Sequence, residues 1–176
     1  MAKDILKETD GEIFVFNADI TCRFPLDEML NFHRKHGHEG TLAVTKVKDP
    51  SKFGVILSDE NKKILNFVEK PSEWIGDNIN AGLYIFSKKI LDRVNPVPTS
   101  IEREVFPQMA KEGEVYVFQL EGFWADIGQP RDYLRGTNLF LNDLPNRLKN
   151  IQVDQNLPQL KTGENITGNV IIVKEI

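Results

Sequence analysis

Hydrophobic and polar positions alternate along this chain with clear changes of period. Residues 3–9 read as the end of a helix, closed by a turn at Asp10-Gly11. Residues 13–16 (Ile-Phe-Val-Phe) are an unbroken apolar run, the pattern of a strand buried on both faces. Pro25 suits a first helical turn. Leu26, Met29, Leu30 and His33 then recur at i, i+3, i+4 and i+7, and Gly37 fits a helix stop. Residues 41–47, rich in β-branched side chains, predict the next strand. Strand, helix and strand in this order make one βαβ unit, with a right-handed crossover expected.

The middle changes character. Residues 53–57 and 64–69 flank the turn Asp-Glu-Asn-Lys-Lys and predict an antiparallel hairpin. Further strands are predicted over 80–86 and 115–120, with a short helix over 87–94 and a proline-containing loop over 95–98. Thr99-Ser-Ile-Glu102 matches a capping box, in which hydroxyl and carboxylate satisfy the free N–H groups of a helix running to about Glu112. A last helix is predicted from Gln129 to about Asn142. Residues 144–164 are polar, hold two prolines and show no period, which reads as a linker.

Composition narrows the class. The 176 residues suffice for one domain with a core and a small appendage, at 40% hydrophobic and 27% charged. The net charge of −4 argues against a nucleic-acid polymer as partner. It also means that an anionic phosphate substrate would need a cation or local basic residues. With a single cysteine, Cys22, no disulfide can form within the chain, and a cytoplasmic setting is expected. No apolar run approaches a membrane span.

Several residues carry candidate chemistry, and each has a plainer structural alternative. Asp19 follows the apolar run 13–16, and Asp126 sits in Phe-Trp-Ala-Asp-Ile-Gly. Carboxylates at such ends build metal and phosphate sites in open α/β sheets, and a pair suits Mg²⁺, but either could be a turn or helix cap. Glu69-Lys70-Pro71 ends the second hairpin strand. Lys70 could hold a phosphate and Glu69 accept sugar hydroxyls, or the two could be an edge-strand ion pair. Asn80-Ala-Gly82 offers an amide and a close backbone approach, or only a bulge glycine. His33, His36 and His38 invite a metal reading but fit better as cations at a helix C-terminus. Cys22 has no partner histidine nearby in sequence and reads as a packed thiol.

Six stretches occur in one order: FVFNADI-x-C-x-F-P, VTKV-x-DPSKFGV, FVEKP, INAGLYIF, PTSIE-x-E-x-FP-x-MA and GFWADIGQP-x-DYL. Together they resemble the sugar-phosphate nucleotidyltransferases, and within them the branch that transfers a guanylyl group to mannose 1-phosphate. The resemblance covers residues 3–142. It implies an α/β, partial Rossmann-like domain over 1–142 with a mixed, mostly parallel sheet. A linker over 143–165 would follow. Residues 166–176, with the stretch ITGNVIIV, would open a left-handed β-helix.

The resemblance also implies a reaction: mannose 1-phosphate and GTP give GDP-mannose and pyrophosphate with the help of Mg²⁺. It makes Asp19 and Asp126 the metal-binding and catalytic carboxylates. Lys70 becomes the catalytic group that holds the sugar phosphate, and Gly54, Glu69, Asn80 and Gly82 line the sugar-phosphate side. A homo-oligomer, or a complex with a homologous subunit, is the expected assembly. The family's glycine-rich loop, close to G-x-G-T-R-L-x-P-L-T, has no match in this sequence. Two to three further βα units of about 30 residues each are therefore expected ahead of residue 3, and little turnover is expected from this chain alone. Apolar sheet edges are then expected at 13–16 and 41–47. The alternative is a non-catalytic regulatory or partner subunit. A Mg²⁺-dependent phosphohydrolase would need a nucleophilic aspartate beside an activating base, a pair the sequence does not offer.

Overall fold

The structure is a computed structural model that describes residues 2–8, 10–94, 97–148, 159–160 and 171–172. The first elements are α1 (Ala2–Lys7), β1 (Ile13–Phe16), β2 (Ile20–Cys22), α2 (Leu26–His36) and β3 (Gly40–Lys46). The hairpin strands β4 (Gly54–Ser58) and β5 (Ile64–Glu69) follow, then β6 (Asn78–Phe86), α3 (Ile90–Arg93), a π-helical turn (Ile101–Val105) and α4 (Phe106–Glu112). Last come β7 (Val115–Gln119), β8 (Trp124–Asp126), α5 (Pro130–Leu148), β9 (Gln159–Leu160) and β10 (Ile171–Ile172). They form two units, residues 1–18 with 25–121 and residues 19–24 with 122–176.

The first unit is a six-stranded sheet in the order β5-β4-β6-β3-β7, with β1 also paired to β6. The long strand β6 is its centre. One edge of β6 takes β3; the other takes β4 at Ile79 and β1 along residues 83–86. The sheet is mixed, as the sequence predicts, but its balance is antiparallel: among these pairs only β3 with β7 is parallel. The expected βαβ unit is the reason. Strands β1 and β3 do run in the same direction, yet β6 lies between them and is antiparallel to both.

Alternation on β3 explains both layers. Leu42 and Val44 point to one face and join the main core with Tyr84, Phe86, Phe106, Met109 and Phe67. Thr41 points to the other face, towards His33 of α2. Strand β3 is therefore buried along nearly its whole length and is not the exposed edge that was expected. Strand β1 behaves in the opposite way. Only Ile13 is buried, while Phe14, Val15 and Phe16 are 36%, 37% and 41% exposed, so among the described residues it is an edge strand with one partner.

Three boundaries differ from the sequence reading. The helix after Pro98 is capped by Ser100, whose hydroxyl accepts from Arg103 N–H at 3.3 Å while its own N–H donates to Glu104 at 2.7 Å. Thr99 caps nothing there; its hydroxyl donates to the Val97 carbonyl. The box is thus Ser100 with Glu104, stretched by the π turn ahead of Pro107, and Glu102 is left for other work. Helix α3 covers only Ile90–Arg93. Helix α5 runs to Leu148, past the expected stop at Asn142 and through Pro145.

In the second unit, β2 and β8 form a short antiparallel ribbon, Ile20 opposite Asp126 and Cys22 opposite Trp124. Cys22 is 2% exposed, as a packed thiol should be. Arg23 grips Asp143 of α5 with two donors, Nε reaching Oδ2 at 2.8 Å. Strands β9 and β10 pair antiparallel through Leu160 and Ile171. The rest of the expected linker and β-helix coil, 149–158, 161–170 and 173–176, lies outside the described residues. No helix among the described residues is long and apolar enough to cross a membrane.

The three histidines form a chain of hydrogen bonds, with no cluster among the described residues suited to a metal. His38 N–H donates to His36 Nδ1 at 3.0 Å, so the His36 proton sits on Nε2, which donates to Thr41 Oγ1 at 2.7 Å. The Thr41 hydroxyl then donates to His33 Nδ1 at 2.8 Å. His36 and His38 both stack on Tyr116, at centroid distances of 4.5 and 4.8 Å. Burial lowers the pKa of both His33 and His36, His36 to about 4, so these two are neutral partners and not the expected cations.

The sign of the resulting pH dependence follows. Between the unfolded value near 6.5 and the folded value of about 4, the unfolded chain takes up a proton that the folded His36 refuses, and stability falls across that window. After allowing for solvent screening, about 1–2 kcal/mol is at stake. Thermal melts at stepped pH should show the midpoint dropping from pH 6.5 to 4, and His36→Gln should flatten that slope.

Candidate functional site

The two predicted aspartates come together within the second unit. Asp19 lies in the turn that leads into β2, and Asp126 is the last residue of β8. Antiparallel pairing places Asp126 opposite Ile20, and the Asp19 carbonyl accepts from Ile127 N–H at 2.8 Å. The carboxylate of Asp126 is held by Gly128 N–H at 2.8 Å. Gly128 explains how close the two side chains are. A Cβ there would meet Asp19 Oδ2 at 3.1 Å and Asp126 Oδ1 at 3.2 Å. Two carboxylates thus converge on one small cradle that any other residue would begin to fill.

That donor set fits Mg²⁺, which binds through one or two carboxylates and completes its shell with water and substrate phosphates. Among the described residues no third His, Cys, Asp or Glu joins the pair. The arrangement is an open pair, not an all-protein cage of the kind Ca²⁺ often takes.

The other predicted residues come together within the first unit. Gly54 and Glu69 are directly opposite in the β4–β5 ladder. A Cβ at Gly54 would lie 2.7 Å from the Phe67 ring and 2.9 Å from Glu69 Oε2, so glycine is what allows the carboxylate to fold over β4. Lys70 follows with φ +49°, a left-handed conformation uncommon outside glycine, and Pro71 takes the chain away. Lys70 N–H bonds the Phe53 carbonyl at 3.1 Å. Its Nζ lies 3.4 Å from Glu69 Oε1 and its side chain is 60% exposed, against 13% for Glu69. The edge-strand ion pair that the sequence left open is therefore present, with the ammonium still facing solvent.

Asn80 and Gly82 lie within β6, not at its start. The β3–β6 ladder pairs Leu42 with Tyr84 but Val44 with Asn80, so β6 carries extra residues there, a bulge centred on Gly82. Gly82 has φ +76°, and a Cβ would strike the Asn17 side chain at 2.9 Å. Its carbonyl accepts from Asn17 N–H at 2.8 Å, which ties the end of β1 to the bulge.

Sequence reasoning missed Glu102, whose carboxylate accepts from Asn80 Nδ2 at 2.9 Å. Burial, then the nearby Glu69 carboxylate, raises its pKa, with the Asn80 hydrogen bond, the Lys70 charge and a Tyr84 hydrogen bond acting in the opposite direction. Tyr84 was missed as well. Its hydroxyl accepts from Asn80 Nδ2 at 2.7 Å, and burial raises its pKa. The available signal was the second acid in Ser-Ile-Glu-Arg-Glu: with Glu104 free to close the cap, Glu102 had no structural duty.

A family model for nucleotidyl transferases matches residues 1–143. The chain is 51% identical over 98% of its length to the mannose-1-phosphate guanylyltransferase catalytic subunit beta of Dictyostelium discoideum, of which it covers 46%. It is 46% identical over 98% of its length to the mannose-1-phosphate guanyltransferase of Saccharomyces cerevisiae, again covering 46%. The crystal structure of HddC from Yersinia pseudotuberculosis shares the fold, with a TM-score of 0.64 at 24% identity over 78% of this chain and 60% of that one. The chain belongs to the nucleotidyl transferase family. It spans about half the length of the curated relatives it matches.

The carboxylate pair predicts a metal-dependent gain in stability. Excess Mg²⁺ or Mn²⁺ should raise the thermal midpoint, because a cation that binds only the folded chain stabilises it by mass action. Asp126→Asn should abolish that gain, and Gly128→Ala should reduce it while the fold persists. An equal gain in Asp126→Asn would place the cation elsewhere.

Proposed function

We propose that this chain carries the sugar-phosphate and metal-binding residues of a nucleotidyl transfer from GTP to mannose 1-phosphate, giving GDP-mannose and pyrophosphate. The observation that carries the reading is the order and geometry of Gly54, Glu69 and Lys70 in a chain 51% identical to a mannose-1-phosphate guanylyltransferase subunit. Lys70, solvent-facing at the end of β5, binds the phosphate as a point charge. The Glu69 carboxylate oxygens accept hydroxyl hydrogens of the sugar. Gly82 lets the β6 backbone come close to the ligand.

Asp19 and Asp126 hold Mg²⁺ in this reading. When bound, the cation neutralises charge on the phosphates in transfer. The protein's share of the chemistry is positioning: it fixes the sugar phosphate so that its oxygen can meet the α-phosphorus of GTP in line. The residues of the first unit accordingly bind the acceptor substrate, the sugar phosphate. The Dictyostelium relative is called a catalytic subunit beta, which supports assembly with further copies or a homologous subunit.

Binding is the direct test. Isothermal titration calorimetry should show mannose 1-phosphate binding to the wild-type chain. Lys70→Met should weaken it by roughly 10- to 100-fold, the loss expected for a hydrogen bond to a charged group. Unchanged binding in Lys70→Met, or no binding to the wild type, would overturn the reading.

A further inference from the structure

The Asn80 side chain has no hydrogen left to offer a ligand. Gly82 N–H faces one end of its amide at 3.2 Å, and a backbone N–H only donates, so that end is the oxygen. The other end is the NH₂ group, and both of its hydrogens are committed, to Tyr84 at 2.7 Å and to Glu102 at 2.9 Å. The amide that the sequence suggests as a sugar contact is therefore spent inside the protein.

What the amide does is aim Glu102. The Glu102 carboxylate takes the Asn80 hydrogen and is also hydrogen-bonded by the Tyr84 hydroxyl, and with about four lone-pair sites it keeps acceptor capacity for a further donor. Glu102 is half-buried and makes no salt bridge within 4 Å among the described residues. Burial and Glu69 both disfavour its charge. Two neighbouring carboxylates repel a phosphate, so only Lys70 suits that group. The carboxylates suit donors, and a sugar carries hydroxyl donors beside its phosphate.

We infer that Glu102 is a substrate-contacting residue that accepts a hydrogen bond from a hydroxyl of the sugar phosphate, and that Asn80 is a positioning residue acting through it. The inference rests on the proposed sugar-phosphate site and moves the polar contact from the strand to the π turn. Glu102 becomes a determinant of which sugar is accepted, whereas Lys70 serves any phosphate.

The cost of keeping this acid supports the assignment. Its folded pKa is raised above the unfolded value, so the fold loses stability as pH rises through that interval, and the whole penalty is present at neutral pH. Glu102→Gln removes the charge and should leave the melting temperature at pH 7.5 unchanged or higher. A residue kept only for structure would show the opposite.

Calorimetric titration of the whole chain with mannose 1-phosphate and with inorganic phosphate tests the assignment. Glu102→Gln should lower affinity for mannose 1-phosphate by ten-fold or more and leave affinity for inorganic phosphate within two-fold. Asn80→Ala should weaken mannose 1-phosphate binding, and the double variant should be no weaker than Glu102→Gln alone, since the two act as one unit. Wild-type affinity in Glu102→Gln, with wild-type binding intact, would overturn this inference and leave the site standing. Additive losses in the double variant would overturn the role given to Asn80. Absence of binding to the wild type would overturn both the site and the inference.

Discussion

One side-chain amide holds the first unit's candidate site residues in register. Asn80 hydrogen-bonds Gly82 N–H, the Tyr84 hydroxyl and the Glu102 carboxylate. Its partners belong to the bulge, the aromatic core and the π turn. The bulge leaves Gly82 N–H without a ladder partner, and a buried donor left unmet costs about 1–3 kcal/mol. Asn80 meets it and uses its other end to fix an acid that the helix cap released. The rest depends on that exchange: the bulge lets β6 bend, Asn17 closes on Gly82, and Glu102 points where Glu69 already lies.

The carboxylate pair of the second unit follows the same logic with a simpler device. Gly128 supplies a backbone donor to Asp126 and, by lacking a side chain, the room in which Asp19 and Asp126 converge. In both units a glycine creates space and a backbone N–H fixes an oxygen. Such positions are set by main-chain geometry, which is more rigid than side-chain packing alone.

Much of this was legible in the sequence. The hairpin of β4 and β5, the amphipathic α2 and its glycine stop each announced themselves through period and turn chemistry. Asp19, Asp126, Glu69 and Lys70 stood out only as candidates, because each lies near a proline, a glycine or the end of an apolar run. Strand order was not legible. That β6 would enter between β1 and β3 depends on long-range pairing, and local propensity carries no information about it. Residues 13–16 looked doubly buried for the same reason: an apolar run does not reveal how many neighbours its strand will have. Glu102 was hidden because two acids competed for one cap, and only the π turn before Pro107 decides between them. The internal bonds of Asn80 were not legible either, since a sequence does not show that both amide hydrogens are taken by Tyr84 and Glu102.

The most direct measurement is chemical-shift mapping on the ¹⁵N-labelled chain titrated with mannose 1-phosphate. The account predicts that the largest amide shifts fall on Gly54, Lys70, Gly82 and Glu102, which approach one another through β5, β6 and the π turn. Saturating shifts confined to other residues, with those four amides unmoved, would contradict it.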